Sequence, residues 1–207
     1  MEIKDADERA LSLARGANIP SNTRFTHRLD KFRRAKGNLE AYQAAVDFIS
    51  PDRPHHFLTL VGERGRGKTH LTLGVAWNLI ETRQMKVKYF QVEELLDDLR
   101  SGYHAASREE FDSFDRKMKT IKYVPLLILD DMGVEQSTEW ARAKLDLIVD
   151  SRYLNNQLTI FTTNLAIEEL APRLASRMKE GVVILIEAQD FREVKAKARR
   201  KNVAGEK

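Results

Sequence analysis

The chain has 207 residues, 42% hydrophobic and 32% charged, with 35 Lys and Arg against 31 Asp and Glu for a formal net charge of +4. That size suits one α/β domain with its own core. The lack of cysteine excludes a disulfide framework and any thiolate metal site and agrees with a reducing cytoplasm; no apolar run nears the roughly 20 residues of a membrane-spanning helix, and the charged start, Met1 to Arg9, is no secretory signal.

Residues 1–35 read as a short helix, a turn at Ile19-Pro20-Ser21-Asn22, and a basic stretch holding Arg24, Arg28, Lys31, Arg33, Arg34 and Lys36. Gly37-Asn38 breaks the chain. Leu39, Tyr42, Val46 and Ile49, spaced by three and four, mark one face of a helix that Pro51 and Pro54 end. From Phe57 the pattern becomes strand then helix, repeatedly. Strands are predicted over 57–61, 87–91, 123–130, 158–162 and 182–186. Helices are predicted over 67–82, 92–100, 108–119, 138–154 and 167–178, with Pro172 as a candidate break in the last. The 123–130 run is continuous and apolar, as a strand buried on both faces requires. This alternation predicts a three-layer α/β fold, a five-stranded, mainly parallel sheet with helices on both faces. Basic residues return at Arg192, Lys195, Lys197, Arg199, Arg200 and Lys201. Each basic cluster reads either as a solvated chain end or as a phosphate-contacting surface.

Gly62-Glu63-Arg64-Gly65-Arg66-Gly67-Lys68-Thr69 matches the phosphate-binding pattern G-x-x-x-x-G-K-[ST] in full, between a predicted strand and a predicted helix. The glycines let backbone N–H groups curl inwards onto phosphate oxygens. The following helix presents its N-terminal dipole to the same charge. Lys68 would reach the β- and γ-phosphates of ATP, and the Thr69 hydroxyl would ligate Mg2+.

Leu126-Leu127-Ile128-Leu129-Asp130-Asp131 is an apolar strand ending in two acids, the Walker B pattern. Asp130 would hold magnesium through its water shell and Asp131 would orient and activate the attacking water. Many such ATPases place Glu where Asp131 stands; Asp is one methylene shorter, so slow turnover is one expectation. Thr162-Thr163-Asn164 ends the fourth strand, between the ends of the first and third, where a polar side chain can bond the γ-phosphate or the water. Strand-end Thr and Asn are equally common turn residues. Arg173 and Arg177 lie four apart on one face of the next helix, and Arg192 follows the last strand. An arginine offered to a neighbour's γ-phosphate stabilises transition-state charge, whereas a single surface arginine is usually only that.

Gly-x-Gly-Lys-Thr-His-Leu (65–71), Leu-Asp-Asp-Met-Gly (129–133), Thr-Glu-Trp-Ala (138–141) and Thr-Thr-Asn (162–164) together resemble the AAA+ ATPases of the DnaC/IstB type, bacterial replicative-helicase loaders and transposase helpers. The resemblance covers about Asn18 to Arg192, with His70-Leu71 narrowing it beyond generic P-loop proteins. It implies an oligomeric ATPase whose nucleotide lies between subunits. By position Thr163 or Asn164, Asn164 foremost, resembles sensor 1, Arg177 the arginine finger acting in trans with Arg173 as helper, and Arg192 sensor 2 acting in cis. It also implies single-stranded DNA binding through helices after the second strand, with Tyr103 placed to stack on a base. It implies an ATPase domain at 37–192 between a short lead-in (1–36) and a basic tail (193–207). The lead-in is too short for a full helicase-binding domain and the tail too short for a C-terminal lid. The partners so implied are further copies of the chain, single-stranded DNA and a replicative helicase or transposase, with no membrane. A nucleotide-gated assembly switch with negligible hydrolysis is the alternative to a working ATPase.

Overall fold

The central strands of this protein are apolar on both faces, so they can only lie in the interior of a sheet covered on both sides. The structure, a computed structural model, describes residues 2–103, 108–133 and 138–191. β1 (Phe57–Val61), β3 (Leu126–Met132) and β4 (Leu158–Thr163) are buried almost throughout, whereas β2 (Val87–Gln91) and β5 (Val182–Leu185) are partly covered. The order across the sheet is β2-β3-β4-β1-β5, which puts those two at the edges. Every pairing is parallel, not merely most of them.

Alternate side chains along each strand feed two cores. Leu58, Leu60, Leu126, Ile128 and Ile160 cluster with residues of α1 (Glu2–Gly16), α2 (Leu39–Phe48) and α3 (Lys68–Arg83). Phe57, Val61, Leu127, Leu129 and Phe161 cluster with residues of α4 (Val92–Tyr103), α5 (Arg108–Tyr123), α6 (Glu139–Leu154) and α7 (Pro172–Lys179). The result is the expected three-layer P-loop fold of an AAA+ core.

Several boundaries differ from the sequence reading by a few residues, and a proline accounts for those at the α5–β3 junction. α5 runs on to Tyr123, and β3 starts at Leu126 instead of 123, because Pro125 has no N–H to give to either element. The segment 167–178 is divided near the candidate break at Pro172, into a 3-10 turn, Ile167–Glu169, and α7, which opens on Pro172 where a missing N–H costs nothing.

The lead-in packs on the same core as α3. Ala10, Ala14, Ala17 and Ile19 are buried there. Its basic cluster is divided: Arg24 pairs with Asp7 (2.5 Å) and Glu81 (2.8 Å), and Arg28 pairs with Glu81 (2.9 Å). Among the described residues no helix is long and apolar enough to cross a membrane.

At the end of the sheet away from the phosphate loop, Arg152 of α6 is fully buried. Its guanidinium donates to the Thr159 hydroxyl (2.9 Å) and to the carbonyls of Ile121 (2.8 Å), Lys122 (3.2 Å), Val124 (3.0 Å) and Leu158 (2.6 Å). It thus ties the end of α5, the entry to β3 and the start of β4 together. Burial pushes its pKa down to about 9, which leaves it charged at neutral pH. Arg152→Met would strand those oxygens without a donor, at about 1–3 kcal/mol for each buried group left unpaired. We expect it to lower the unfolding free energy by about 3 kcal/mol or more, read from the urea midpoint at constant slope. A loss below about 0.5 kcal/mol, the range of ordinary surface substitutions, would show that the knot is dispensable.

Candidate nucleotide-binding site

Three glycines make the loop after β1. Gly65 and Gly67 have φ of +80° and +99°, backbone that residues with a Cβ rarely adopt. A Cβ at Gly65 would fall 2.0 Å from Asp190 Oδ1, and one at Gly67 would fall 2.8 Å from the Phe32 ring. α3 begins directly after Gly67, so the first-turn N–H groups of a 16-residue helix open onto the loop. The loop is braced from the sheet side: Gly62 N–H donates to Thr163 O (3.1 Å), Phe191 N–H to Gly65 O (3.1 Å), and Arg66 to Ala188 O (2.8 Å). Arg66 also pairs with Glu63. In front of the loop lies a cavity of about 850 Å³, whose lining includes Arg64 to His70, Asp130, Asp131 and Asn164. Gly62 and Glu63 stand behind it.

Lys68 is nearly buried. Its ammonium donates to Gly62 O (2.5 Å), Glu63 O (3.1 Å) and Asn164 Oδ1 (2.7 Å). The Asn164 amide in turn donates to Asp131 Oδ1 (2.5 Å). Asn164 therefore links the loop lysine to the second acid of β3. Thr163, the other candidate at that position, is fully buried and donates to Met132 O (2.9 Å), so its hydroxyl is committed to the sheet.

The two acids differ in setting. Asp130 is buried, and both its oxygens accept from hydroxyls: Oδ2 from Thr69 (3.1 Å) and Tyr89 (2.5 Å), Oδ1 from Thr162 (2.5 Å). Asp131 is exposed and sits in a bulge of β3 with φ +62°, a left-handed conformation that Asp tolerates better than most residues. Its N–H donates to the Thr162 hydroxyl (2.9 Å). The bulge turns its side chain away from the line of Asp130 and towards the cavity. Burial, with Asp130 alongside, pushes the Tyr89 phenol well above its ordinary pKa, so it acts as a donor.

Oxygen donors alone meet at Thr69 and Asp130, which suits a hard divalent cation. Among the described residues no group of three or more His, Asp and Glu gathers to hold a metal. An ion here would complete its shell from phosphate and water, the usual habit of magnesium.

Arg173 and Arg177 lie outside the cavity's lining. Both pair with Asp150, Arg177 at 2.8 Å, and the Arg177 guanidinium stands over the Tyr153 ring at 4.5 Å. Tyr103 closes α4. Arg192 lies outside the described residues, one position beyond Phe191, whose ring lines the cavity.

The sequence reading missed the other wall. Phe25, Thr26, His27, Lys31, Phe32 and Arg33 of the lead-in line the cavity opposite the sheet. His70 donates through Nε2 to Arg28 O (2.9 Å), and its ring meets those of His27 and Phe32. Tyr89 was missed too. Neither had a local signal, since both contacts depend on how distant segments pack.

Fold and loop together define a P-loop protein with an AAA+ core. The family model described as the bacterial DnaA ATPase domain matches residues 22–185, and the chain belongs to that family. It is similar to an uncharacterized protein, YqaM, of Bacillus subtilis (strain 168), with 28% identity over 164 residues, 70% of this chain and 50% of that one. Among solved structures it is similar to the DnaC helicase loader (TM-score 0.67, 26% identity, 79% of this chain and 98% of that one). It shares its fold with the replication initiator DnaA bound to AMPPCP and single-stranded DNA (TM-score 0.69, 22% identity, 86% and 56%). The chain spans half or less of the length of the first curated relatives it matches.

Thr162 joins the two acids, donating to one and accepting from the other's N–H. Thr162→Val keeps the shape and leaves two buried polar groups unpaired, so stability should fall by about 2 kcal/mol in a urea titration. An unchanged midpoint would mean that neither hydrogen bond matters to the fold.

Proposed function

We propose that this chain binds ATP with magnesium in the cavity at Gly62–Thr69, hydrolyses it, and works as a self-assembling factor on DNA alongside a helicase or another DNA-processing partner. The observation that carries this reading is the convergence of Lys68, Thr69, Asp130, Asp131 and Asn164 on one cavity from three neighbouring strand ends.

In this reading the loop N–H groups and the start of α3 hold the phosphates. Lys68 gives up its contact with Asn164 to meet the β- and γ-phosphates. Thr69 and Asp130 would hold magnesium, which when bound would supply positive charge to the phosphates. Asp131 accepts a proton from the attacking water, and Asn164 fixes that water against the γ-phosphate. Arg177 of a second copy supplies positive charge to the leaving group's side, with Arg173 beside it, and Arg192 acts within its own subunit.

Membership of the DnaA ATPase-domain family supports ATP chemistry in a replication setting. The similarity to a helicase loader supports a helicase as partner. The DnaA structure that holds AMPPCP and single-stranded DNA supports both ligands. Tyr103 and the basic residues beyond Phe191 are the proposed DNA contacts.

The first measurement is ATP turnover with and without single-stranded DNA against a Lys68→Ala background. Turnover no higher than that background under both conditions would sink the reading. Arg177→Ala should leave ATP affinity unchanged and cut turnover by about 10³-fold, the scale of an arginine finger. Undiminished turnover would end the shared-site proposal.

One observation favours a second reading, a nucleotide-gated switch. Asp131 is short, and its carboxylate is tied to Asn164. Asp131→Glu raising turnover about tenfold or more would support the switch, and equal or lower turnover would count against it.

A further inference from the structure

Three hydroxyls hold the first acid of β3, and two of them come from its neighbours in the sheet. Tyr89 of β2, Asp130 of β3 and Thr162 of β4 sit on consecutive strands, all on the face covered by α3. Tyr89 is half-buried, with its hydroxyl 2.5 Å from Asp130 Oδ2, the oxygen that also faces Thr69. Thr162 takes Oδ1.

We propose that Tyr89 is a positioning residue for the magnesium-holding carboxylate: its hydroxyl fixes the rotation of Asp130 so that Oδ2 points at Thr69. The inference rests on the ATP and magnesium reading above. An aspartate carboxylate has a broad, soft final torsion. Without the flanking hydroxyls it would have to be oriented by the ion itself, at a cost in ion affinity. Outer hydrogen bonds to metal-holding carboxylates commonly contribute 10–100-fold to affinity or activity. Tyr89 is itself anchored, because its N–H donates to Ala17 O at 2.8 Å and Ala17 is fully buried. The lead-in, which already lines the cavity, therefore also reaches the ion site from the β2 side through this residue.

The test is Tyr89→Phe, which keeps the ring. Mn2+ binding to the full chain with AMPPCP is read by electron paramagnetic resonance, and AMPPCP binding is read separately in EDTA. We expect Mn2+ affinity to fall about tenfold, AMPPCP binding in EDTA to be unchanged, and the magnesium midpoint of turnover to rise by the same factor. A Mn2+ affinity within about twofold of the parent overturns the proposal. So does an equal loss of AMPPCP binding in EDTA, since the ring would then be a general prop. If the parent itself binds no Mn2+ with AMPPCP, the nucleotide-site reading falls and takes this inference with it, an outcome distinct from a change confined to the variant.

Discussion

β4 pairs in parallel with β1 on one side and with β3 on the other, and the site depends on that pairing. Parallel strands all end at the same edge of the sheet, and each is about 4.8 Å from the next. The ends of β1 and β3 are therefore two strand spacings apart, roughly 10 Å, and although Thr69 at the far end of the loop reaches Asp130 (3.1 Å), the start of the loop needs a bridge to Asp131. The end of β4 fills the gap. Its backbone takes Gly62 N–H, its Thr162 holds both acids, and its Asn164 reaches Lys68 on one side and Asp131 on the other. Moving β4 to an edge would leave every one of these groups in place in the sequence and break the bridge from Lys68 to Asp131.

Buried Arg24 is paired with the carboxylates of Asp7 and Glu81, but three other buried charges have neutral dipoles among their hydrogen-bond partners. Asp130 is held by hydroxyls, Lys68 by two carbonyls and an amide, and Arg152, at the far end of the sheet, by a ring of carbonyls and one hydroxyl. Taking a charge out of water is costly unless such partners replace it. Opposite charges would serve as well energetically, but at the cavity they would compete with the ligand: a cation fixed on Asp130 would repel magnesium, and an anion fixed on Lys68 would repel phosphate. Neutral hydrogen-bond partners such as these can be exchanged for a ligand without separating an ion pair. At Arg152 no ligand arrives, and the same device serves as a permanent tie.

What the sequence disclosed follows from the range of each contact. Gly62–Thr69 is contiguous, and its conformation is dictated by its own glycines, so it was legible before any fold was known. Asp130 was legible because an apolar strand ending in acid is also a local pattern. Its partner Tyr89 was not, because nothing in Val87–Gln91 says which strand lies alongside. The bulge that turns Asp131 outward was hidden for a similar reason: a positive φ at Asp has no spelling of its own. Arg24 and Arg28 read as basic surface, yet Glu81 lies more than fifty positions away in the chain and neutralises both. The start of β3 was misplaced because Tyr123 and Val124 are apolar enough for a strand, and Pro125 decided the boundary.

Arg177 shows how the fold constrains the proposed assembly. Its guanidinium lies over Tyr153, whose ring meets Phe57 at the beginning of β1. The phosphate loop follows Val61 at the other end of that strand, roughly 13–17 Å further along at about 3.3 Å per residue. That places Arg177 towards the opposite end of β1 from the phosphate loop, as the proposed contribution to the ATP of another copy requires. In the isolated protomer Asp150 holds it. Burial alone would raise the pKa of Asp150, but the hydrogen bonds from Arg177 and Arg173 outweigh that and keep it ionised, below the usual carboxylate range. Ion pairs this open to water are weak, commonly under about 1 kcal/mol. A γ-phosphate with more charge, sealed between two subunits, would outcompete Asp150 for the same guanidinium. In the proposed assembly, Asp150 would thus hold the arginine in a defined place without binding it too strongly to be drawn away.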